Sequence, residues 1–281
     1  MTATLPRILV FVPMYQCERQ IARVLERIDR HLSPWVHEVA VIDNGSRDRS
    51  RAAATAALTG LSIPGILLLN DDNYNLGGSH KVAFNHAIAG HFDWVVVVHG
   101  DDQADPADLI PLLEAGAFGQ DNDALLGSRF SMGSSRSGYA MHRVLGNHVF
   151  NLIFTLAAQR MVADLGSGLN AFRVGWLREH RWSNLADDLT FNIHFLLTLI
   201  ANRARFQYFP ISWREEDQVS NVRLLRQAWR TMGMAWGYLI GGKAYLSKAH
   251  TVRPPEGYPS TTQYENPRRR SHSATGSTGP R

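Results

Sequence analysis

Four consecutive valines, Val95, Val96, Val97 and Val98, run straight into His99, Gly100, Asp101, Asp102 and Gln103. β-Branched residues favour extended backbone, and carboxylates that interrupt such a run mark the strand's C-terminal end. In an open α/β sheet that edge is where ligands bind. On an extended segment Asp101 and Gln103 point to one face, with His99 in line behind them. Three oxygen or nitrogen donors so placed suit a divalent cation that keeps water or phosphate oxygens as its other ligands. The competing explanation is helix capping, with Asp105 before Pro106, or Asp101 and Asp102 in a turn, starting a helix over residues 107–115. If His99 were a ligand with an ordinary pKa of about 6.5, the site would lose its metal as pH falls through that value.

The first 130 residues repeat one alternation. An apolar segment at 8–12 precedes a helical pattern at 18–32, where Ile21, Val24, Leu25, Ile28 and Leu32 recur at helical spacing. The pairs 38–42 with 48–58, 65–69 with 79–89, and 94–98 with 107–115 follow. Four βα units in series predict a mostly parallel, doubly wound sheet flanked by helices. Beyond residue 130 the pattern becomes a helix at 141–161, a Gly- and Ser-rich turn at 165–169, a helix at 188–202 and a strand at 205–211. No Pro- or Gly-rich linker separates the halves, so residues 1–249 are expected to form one catalytic domain.

Residues 250–281 hold five arginines against two glutamates, +3 of the chain's net +4. Rich in Pro, Ser, Thr and Gly and poor in apolar periodicity, this basic tail is expected to be disordered. The nearly neutral remainder gives nucleic-acid binding no support. With 281 residues, 44% of them apolar, the chain can bury a sizeable core. Its one cysteine, Cys17, excludes a disulfide framework and suits a reducing compartment. The N-terminus lacks a secretory pattern, and the longest apolar stretches, 191–201 and 232–240, fall short of the ~20 residues a spanning helix needs. A cytoplasmic protein, soluble or peripheral on a membrane, is expected.

Each strand end carries something unusual: Val12-Pro13-Met14-Tyr15, then Asp43-Asn44-Gly45-Ser46-Arg47-Asp48, then Asn73-Tyr74-Asn75-Leu76-Gly77-Gly78-Ser79. Loops after parallel strands converge on one crevice, so these would meet the Asp101 cluster. Asp43 can accept hydrogen bonds from a base or ribose, Tyr15 can offer a ring, and Gly77-Gly78 admits a close phosphate. Taken singly, Asn44-Gly45 and Gly77-Gly78 are ordinary turn sequences. One at each successive strand end describes a nucleotide pocket.

Those segments, followed in order by 101–106, Gly127-Ser128-Arg129-Phe130, 164–173 and 210–220, make the chain resemble family 2 inverting glycosyltransferases over roughly residues 8–221. The similarity is to their dolichyl- and polyprenyl-phosphate sugar synthase branch. It implies a Rossmann-like glycosyltransferase A fold, a UDP- or GDP-sugar donor, Mg²⁺ or Mn²⁺ on the donor's diphosphate, and a polyprenyl phosphate acceptor of dolichyl or undecaprenyl type, met at the cytoplasmic membrane surface. It places Pro13, Tyr15, Asp43, Gly45, Ser46, Asn75 and Gly77 around the nucleotide, Asp101 and Gln103 on the metal, and Arg129, Arg143, Arg214 and Ser220 around the lipid phosphate. Two departures stand out. His99 occupies the place of the first Asp in the family's Asp-x-Asp motif, and Gln16-Cys17 stands where the family has Glu after Tyr-Asn.

Arginine's planar fork suits phosphate, although pairing with Glu215 or Glu216 would serve Arg214 equally well. Asp187 and Asp188 open a helix and could simply cap it; for a hydroxyl acceptor one of them would be the catalytic base, whereas an ionised phosphate needs none. In residues 222–246, Leu225, Ala228, Trp229, Met232, Ala235, Trp236, Leu239 and Ile240 share a stripe beside Arg223, Arg226, Arg230 and Lys243. Such a helix lies in a membrane interface or packs into the core. The expected activity is metal-assisted transfer in which the acceptor phosphate attacks the anomeric carbon in line, with Asp101 central to catalysis. Transfer to a saccharide hydroxyl, a nucleotide-sugar binder without turnover, and a nucleotidyltransferase are the alternatives. The last would show a Gly-rich loop with Arg and Lys where this chain has Pro13-Met14-Tyr15.

Overall fold

The computed structural model describes residues 5–119, 121–215, 224–254 and 257–266. The βα units form as the periodicity predicts: β1 (Ile8–Met14), α1 (Ile21–Leu32), β2 (Val36–Asp43), α2 (Ser50–Gly60), β3 (Gly65–Asn70), α3 (Asn75–Ala89) and β4 (Trp94–Val98). A 3-10 turn (Pro106–Leu109) then leads into α4 (Ile110–Glu114). The remainder comprises β5 (Ala124–Ser128), β6 (Ser135–Ser137), α5 (Met141–Ala158), β7 (Leu169–Arg173), α6 (Val174–Glu179), α7 (Phe191–Ala201), β8 (Phe206–Pro210), β9 (Ser212–Arg214), α8 (Leu224–Ser247) and β10 (Ser260–Glu265).

One sheet of eight strands runs β10-β3-β2-β1-β4-β7-β5-β8. Strands β3, β2, β1 and β4 are mutually parallel, whereas β7 lies antiparallel between β4 and β5. Alternation along β1 sends Leu9 and Phe11 to a core shared with Phe84 of α3 and Phe195 of α7. Ile8, Val10 and Val12 pack on the other face against Val24 and Ile28 of α1. Because both faces are covered, β4 reads as an unbroken apolar run, and burying each valine contributes about 1.5–3 kcal/mol. The predicted stripe of α1 is buried in full.

Two elements correct the sequence expectations. β7 follows the expected turn at 165–169, in residues for which no strand was expected. The expectation of disorder from residue 250 onward fails for 257–266, because β10 pairs antiparallel with β3 and Tyr258 and Asn266 are buried. Residues 267–281, Ser220 and Arg223 lie outside the described residues, as do the side chains of Leu225 and Arg226.

Candidate active site

A cavity of about 410 Å³ opens at the C-terminal ends of β1 and β4, with Tyr15, Asn75, His99, Asp101, Asp188 and Arg230 on its wall. A second, of about 320 Å³, shares Tyr15 and Asn73 with it and reaches Gly45, Arg51 and Asp71. Pro13 lines the first, so the crevice predicted from the strand ends exists. Asn44 and Ser79 of the strand-end segments also line it, together with Leu189 and Gln227, which carry no signal in the sequence.

The turn after β4 separates two adjacent carboxylates. Asp102 adopts a left-handed φ of 60° and is buried against Arg23 at 3.0 Å and Arg27 at 3.3 Å, which anchors the loop to α1. Asp101 faces the cavity, its Oδ2 4.0 Å from His99 Nδ1 and its Oδ1 accepting from the Gln103 N–H at 3.2 Å. The buried Nε2 of His99 finds no hydrogen-bond partner among the described residues. Burial, then the charge of Arg129, pushes the His99 pKa down to about 4. The imidazole is therefore neutral throughout the physiological range, and the ligation switch near pH 6.5 expected from an ordinary histidine is corrected. Gln103 is not on the cavity wall; its backbone instead receives the Arg214 N–H at 2.9 Å. Capping accounts for Asp105, which accepts from the Ala107 N–H at 3.1 Å.

A neutral imidazole whose Nδ1 lies beside the Asp101 carboxylate fits a divalent cation that takes its remaining ligands from a diphosphate and water. Among the described residues no three His, Cys, Asp or Glu side chains gather as a closed metal site. Burial raises the Asp101 pKa from 3.8 to about 6. The folded protein thus holds a proton that the unfolded chain releases, and stability present below pH 3.8 is lost as pH rises towards 6. Because the carboxylate is partly exposed, Asp101→Asn should stabilise the protein at pH 7.5 by only about 1–2 kcal/mol. Denaturant titrations at pH 4 and 7.5 check this; an equal effect at both would count against it.

Several predicted nucleotide residues do structural work. Asp43 is fully buried, accepting from the Ser46 N–H at 2.9 Å and paired with Arg51. The Ser46 hydroxyl accepts from the Gln16 N–H at 3.0 Å, and Gly45 turns the loop at a φ of 82°. Gly77 is no phosphate cradle in this arrangement. It and Gly78 donate their N–H groups to the Asp187 carbonyl at 2.6 and 3.2 Å, and a Cβ on Gly77 would lie 2.4 Å from the Ala186 oxygen. Gly77 admits the 186–191 chain, and Gly78 the Tyr74 and Tyr258 side chains.

Neither candidate base is free. Asp187 accepts from Lys81 Nζ at 2.8 Å and from the Tyr258 hydroxyl at 2.6 Å, and pairs with the Thr251 hydroxyl. Asp188 reaches the cavity, but accepts from the Thr190 N–H and hydroxyl at 2.9 and 2.6 Å and from Arg230 Nη2 at 2.5 Å. Burial would raise its pKa, yet the Thr190 donors and Arg230 hold it below the ordinary carboxylate value. The three expected phosphate arginines are also engaged and lie off the cavity wall. Arg129 grips Asp164 through Nε and Nη2 at 2.8 and 2.7 Å, Arg143 holds both Glu215 oxygens, and Arg214 meets Asp105 at 2.9 Å. Arg129 and Arg143 share the Tyr139 ring, so they still form one cluster.

A mostly parallel sheet with a pocket over its strand ends is the arrangement of an open, ligand-binding α/β domain. Residues 9–181, more than half of the chain, match the glycosyl transferase family 2 model, and the chain belongs to that family. It is 26% identical over 170 residues to undecaprenyl-phosphate 4-deoxy-4-formamido-L-arabinose transferase of Pectobacterium carotovorum, an alignment covering 58% of this chain and 48% of that protein. The Pectobacterium atrosepticum enzyme of the same name is 25% identical over the same shares. The chain spans about half the length of these curated relatives. Among solved structures, glucosyl-3-phosphoglycerate synthase of Mycobacterium tuberculosis with uridine diphosphate superposes with a TM-score of 0.61 at 16% identity, covering 83% of this chain and 80% of that one. The same enzyme with Mn²⁺, UDP-glucose and glycerol 3-phosphate gives 0.59 at 17% identity over the same shares. These structures share the fold.

Proposed function

We propose that the protein transfers a sugar, with inversion, from a nucleotide-diphospho-sugar to a polyprenyl phosphate at a membrane surface. The observation that carries this reading is the face formed by α5 and α8. Leu145, Leu152 and Leu156 of α5 are 60–68% exposed, and Trp229, Trp236 and Ile240 of α8 are 64–78% exposed. The two helices pack side by side, and neither contains an acidic residue. Trp229 and Trp236 are thus not core residues; the inner side of α8 is Thr231, Met234, Ala235 and Tyr238. Among the described residues no helix is long and apolar enough to cross a membrane, so contact would be interfacial. Gln227 and Arg230 of the same helix line the cavity, which would set the reaction centre beside the lipid headgroups.

The acceptor phosphate is already ionised and needs no base, in keeping with the engagement of Asp187 and Asp188. Its oxygen would form the new bond to the anomeric carbon as the bond from that carbon to the nucleoside diphosphate oxygen breaks. Arg143, one-third exposed beside the locked Arg129, would steer the acceptor by exchanging Glu215 for phosphate, with Arg214 held nearby on Asp105. Asp101 and His99 would hold Mg²⁺ or Mn²⁺, which supplies neutralisation of charge on the leaving diphosphate. Support comes from the undecaprenyl-phosphate relatives and from the Mn²⁺ and UDP-glucose complex of the structural neighbour.

Transfer of label from nucleotide sugars to undecaprenyl phosphate in anionic vesicles tests the activity. Combining Leu145→Ser, Leu152→Ser, Trp229→Ala and Trp236→Ala should keep the melting temperature, since all four side chains are exposed, but weaken vesicle binding and lipid glycosylation at least tenfold. Binding should also fall with salt, each surface cation contributing roughly 1 kcal/mol. A folded variant with wild-type turnover on long-chain acceptor would remove the membrane face from the account.

A further inference from the structure

We propose that Arg230 takes a phosphate oxygen of the bound substrate, and that Asp188 holds its guanidinium ready until that oxygen arrives. This rests on the reading of the protein as a nucleotide-sugar transferase. Arg230 is the sole Lys or Arg among the described residues lining the larger cavity, which also carries Asp101 and Asp188. Its Nη2 meets Asp188 Oδ2 at 2.5 Å, while Asp188 Oδ1 is fixed by both donors of Thr190. The side chains of the pair are 52% and 32% exposed, so either can exchange its partner without stranding a buried charge.

The surrounding structure favours exchange at this pair over its neighbours. Arg129 is locked against Asp164, whose side chain is 1% exposed, so releasing it would leave that carboxylate buried and unpaired. Arg230 projects from α8, which is anchored through Thr231, Met234 and Ala235, so its long side chain can turn into the cavity while the helix stays put. A guanidinium presents five N–H donors in a fork matched to phosphate, and the Asp188 contact occupies one of them. Phosphate groups on both the nucleoside diphosphate and the acceptor fit this chemistry.

Calorimetry with UDP or GDP and Mn²⁺, together with KM for undecaprenyl phosphate, tests the proposal. If the donor diphosphate is the ligand, Arg230→Gln should weaken nucleoside diphosphate binding at least tenfold and Arg230→Lys should recover part of it. Asp188→Asn should instead tighten binding two- to fivefold, because the amide keeps the acceptor for Thr190 but no longer competes for the guanidinium. If the acceptor phosphate is the ligand, donor affinity should stay constant and its KM should move in those same opposite directions. A latch that merely closes the fold would make both variants weaken binding together, and that result, like no change in either, would overturn the proposal. A wild type that binds neither nucleoside diphosphate nor lipid phosphate would overturn the functional reading, and the proposal with it. Wild-type donor binding and acceptor KM, both left untouched by Arg230→Gln, would defeat the proposal alone.

Discussion

Lys81→Met should lower the melting temperature by about 6–20 °C, the consequence of losing about 3–5 kcal/mol when one partner of a buried ion pair is removed from a protein of this size. Lys81 is fully buried, and its ammonium donates to the Leu185 carbonyl at 2.6 Å, to Asp187 at 2.8 Å and to the Tyr258 hydroxyl at 2.9 Å. Three distant pieces of chain meet there: α3, the loop before α7, and the segment after α8. Without the ammonium, Asp187 keeps two hydroxyl donors but loses its counter-charge. Because the Asp187 carbonyl holds Gly77 and Gly78, the cavity wall at Asn75 and Asp188 should loosen too, and nucleoside diphosphate affinity should fall with the melting temperature. Replacing both members, Lys81→Met with Asp187→Leu, should recover much of the stability, since an apolar pair needs no counter-charge. Calorimetric scans decide it; a single variant melting within 2 °C of wild type would show that the pair contributes little.

Asp101→Ala should reduce sugar transfer at least a thousandfold and remove the metal dependence of nucleoside diphosphate binding. Three charged side chains among the described residues line the larger cavity, Asp101, Asp188 and Arg230, and His99 is neutral. Under the proposed function, a diphosphate entering this partly acidic enclosure would need a cation to bridge it to the protein, and Asp101 would hold it. Removing it takes away that bridge in the ground state and in the transition state alike, so binding and turnover should both collapse. Titration with UDP in the presence and absence of Mn²⁺ gives the answer directly. Equal Mn²⁺ dependence in variant and wild type would move the metal elsewhere.

The parts of the fold legible in the sequence are those set by local periodicity. The stripe of α1 and the valine run of β4 declare their partners because burial on one face or on both writes itself into residue spacing. β7 escaped because it is five residues long and draws its stability from ladders with β4 and β5, which are far away in sequence. His99 and Asp101 could be placed at the cavity because a strand end fixes them. Arg230 could not, since its position depends on how α8 packs on α5 and α7. The adjacent Asp187 and Asp188 show the same limit. Sequence marked both as candidates, whereas tertiary contacts send one to Lys81 and the other to the cavity. Periodicity also revealed that α8 has an apolar stripe without telling which of its two apolar sides would be covered.

The antiparallel pairing of β10 with β3 has a consequence for how the molecule behaves in a crowded solution. β3 carries Ile66, Leu67, Leu68 and Leu69 in succession and is paired with β2 along its other side. Uncovered, its outer rim would offer a row of amide and carbonyl groups flanked by aliphatic side chains, a template on which another chain could add as a strand. β10 occupies that rim with Ser260, Thr261, Thr262, Gln263, Tyr264 and Glu265, nearly all exposed. The sheet therefore borders its surroundings here with hydroxyl- and amide-bearing side chains in place of the aliphatic run of β3.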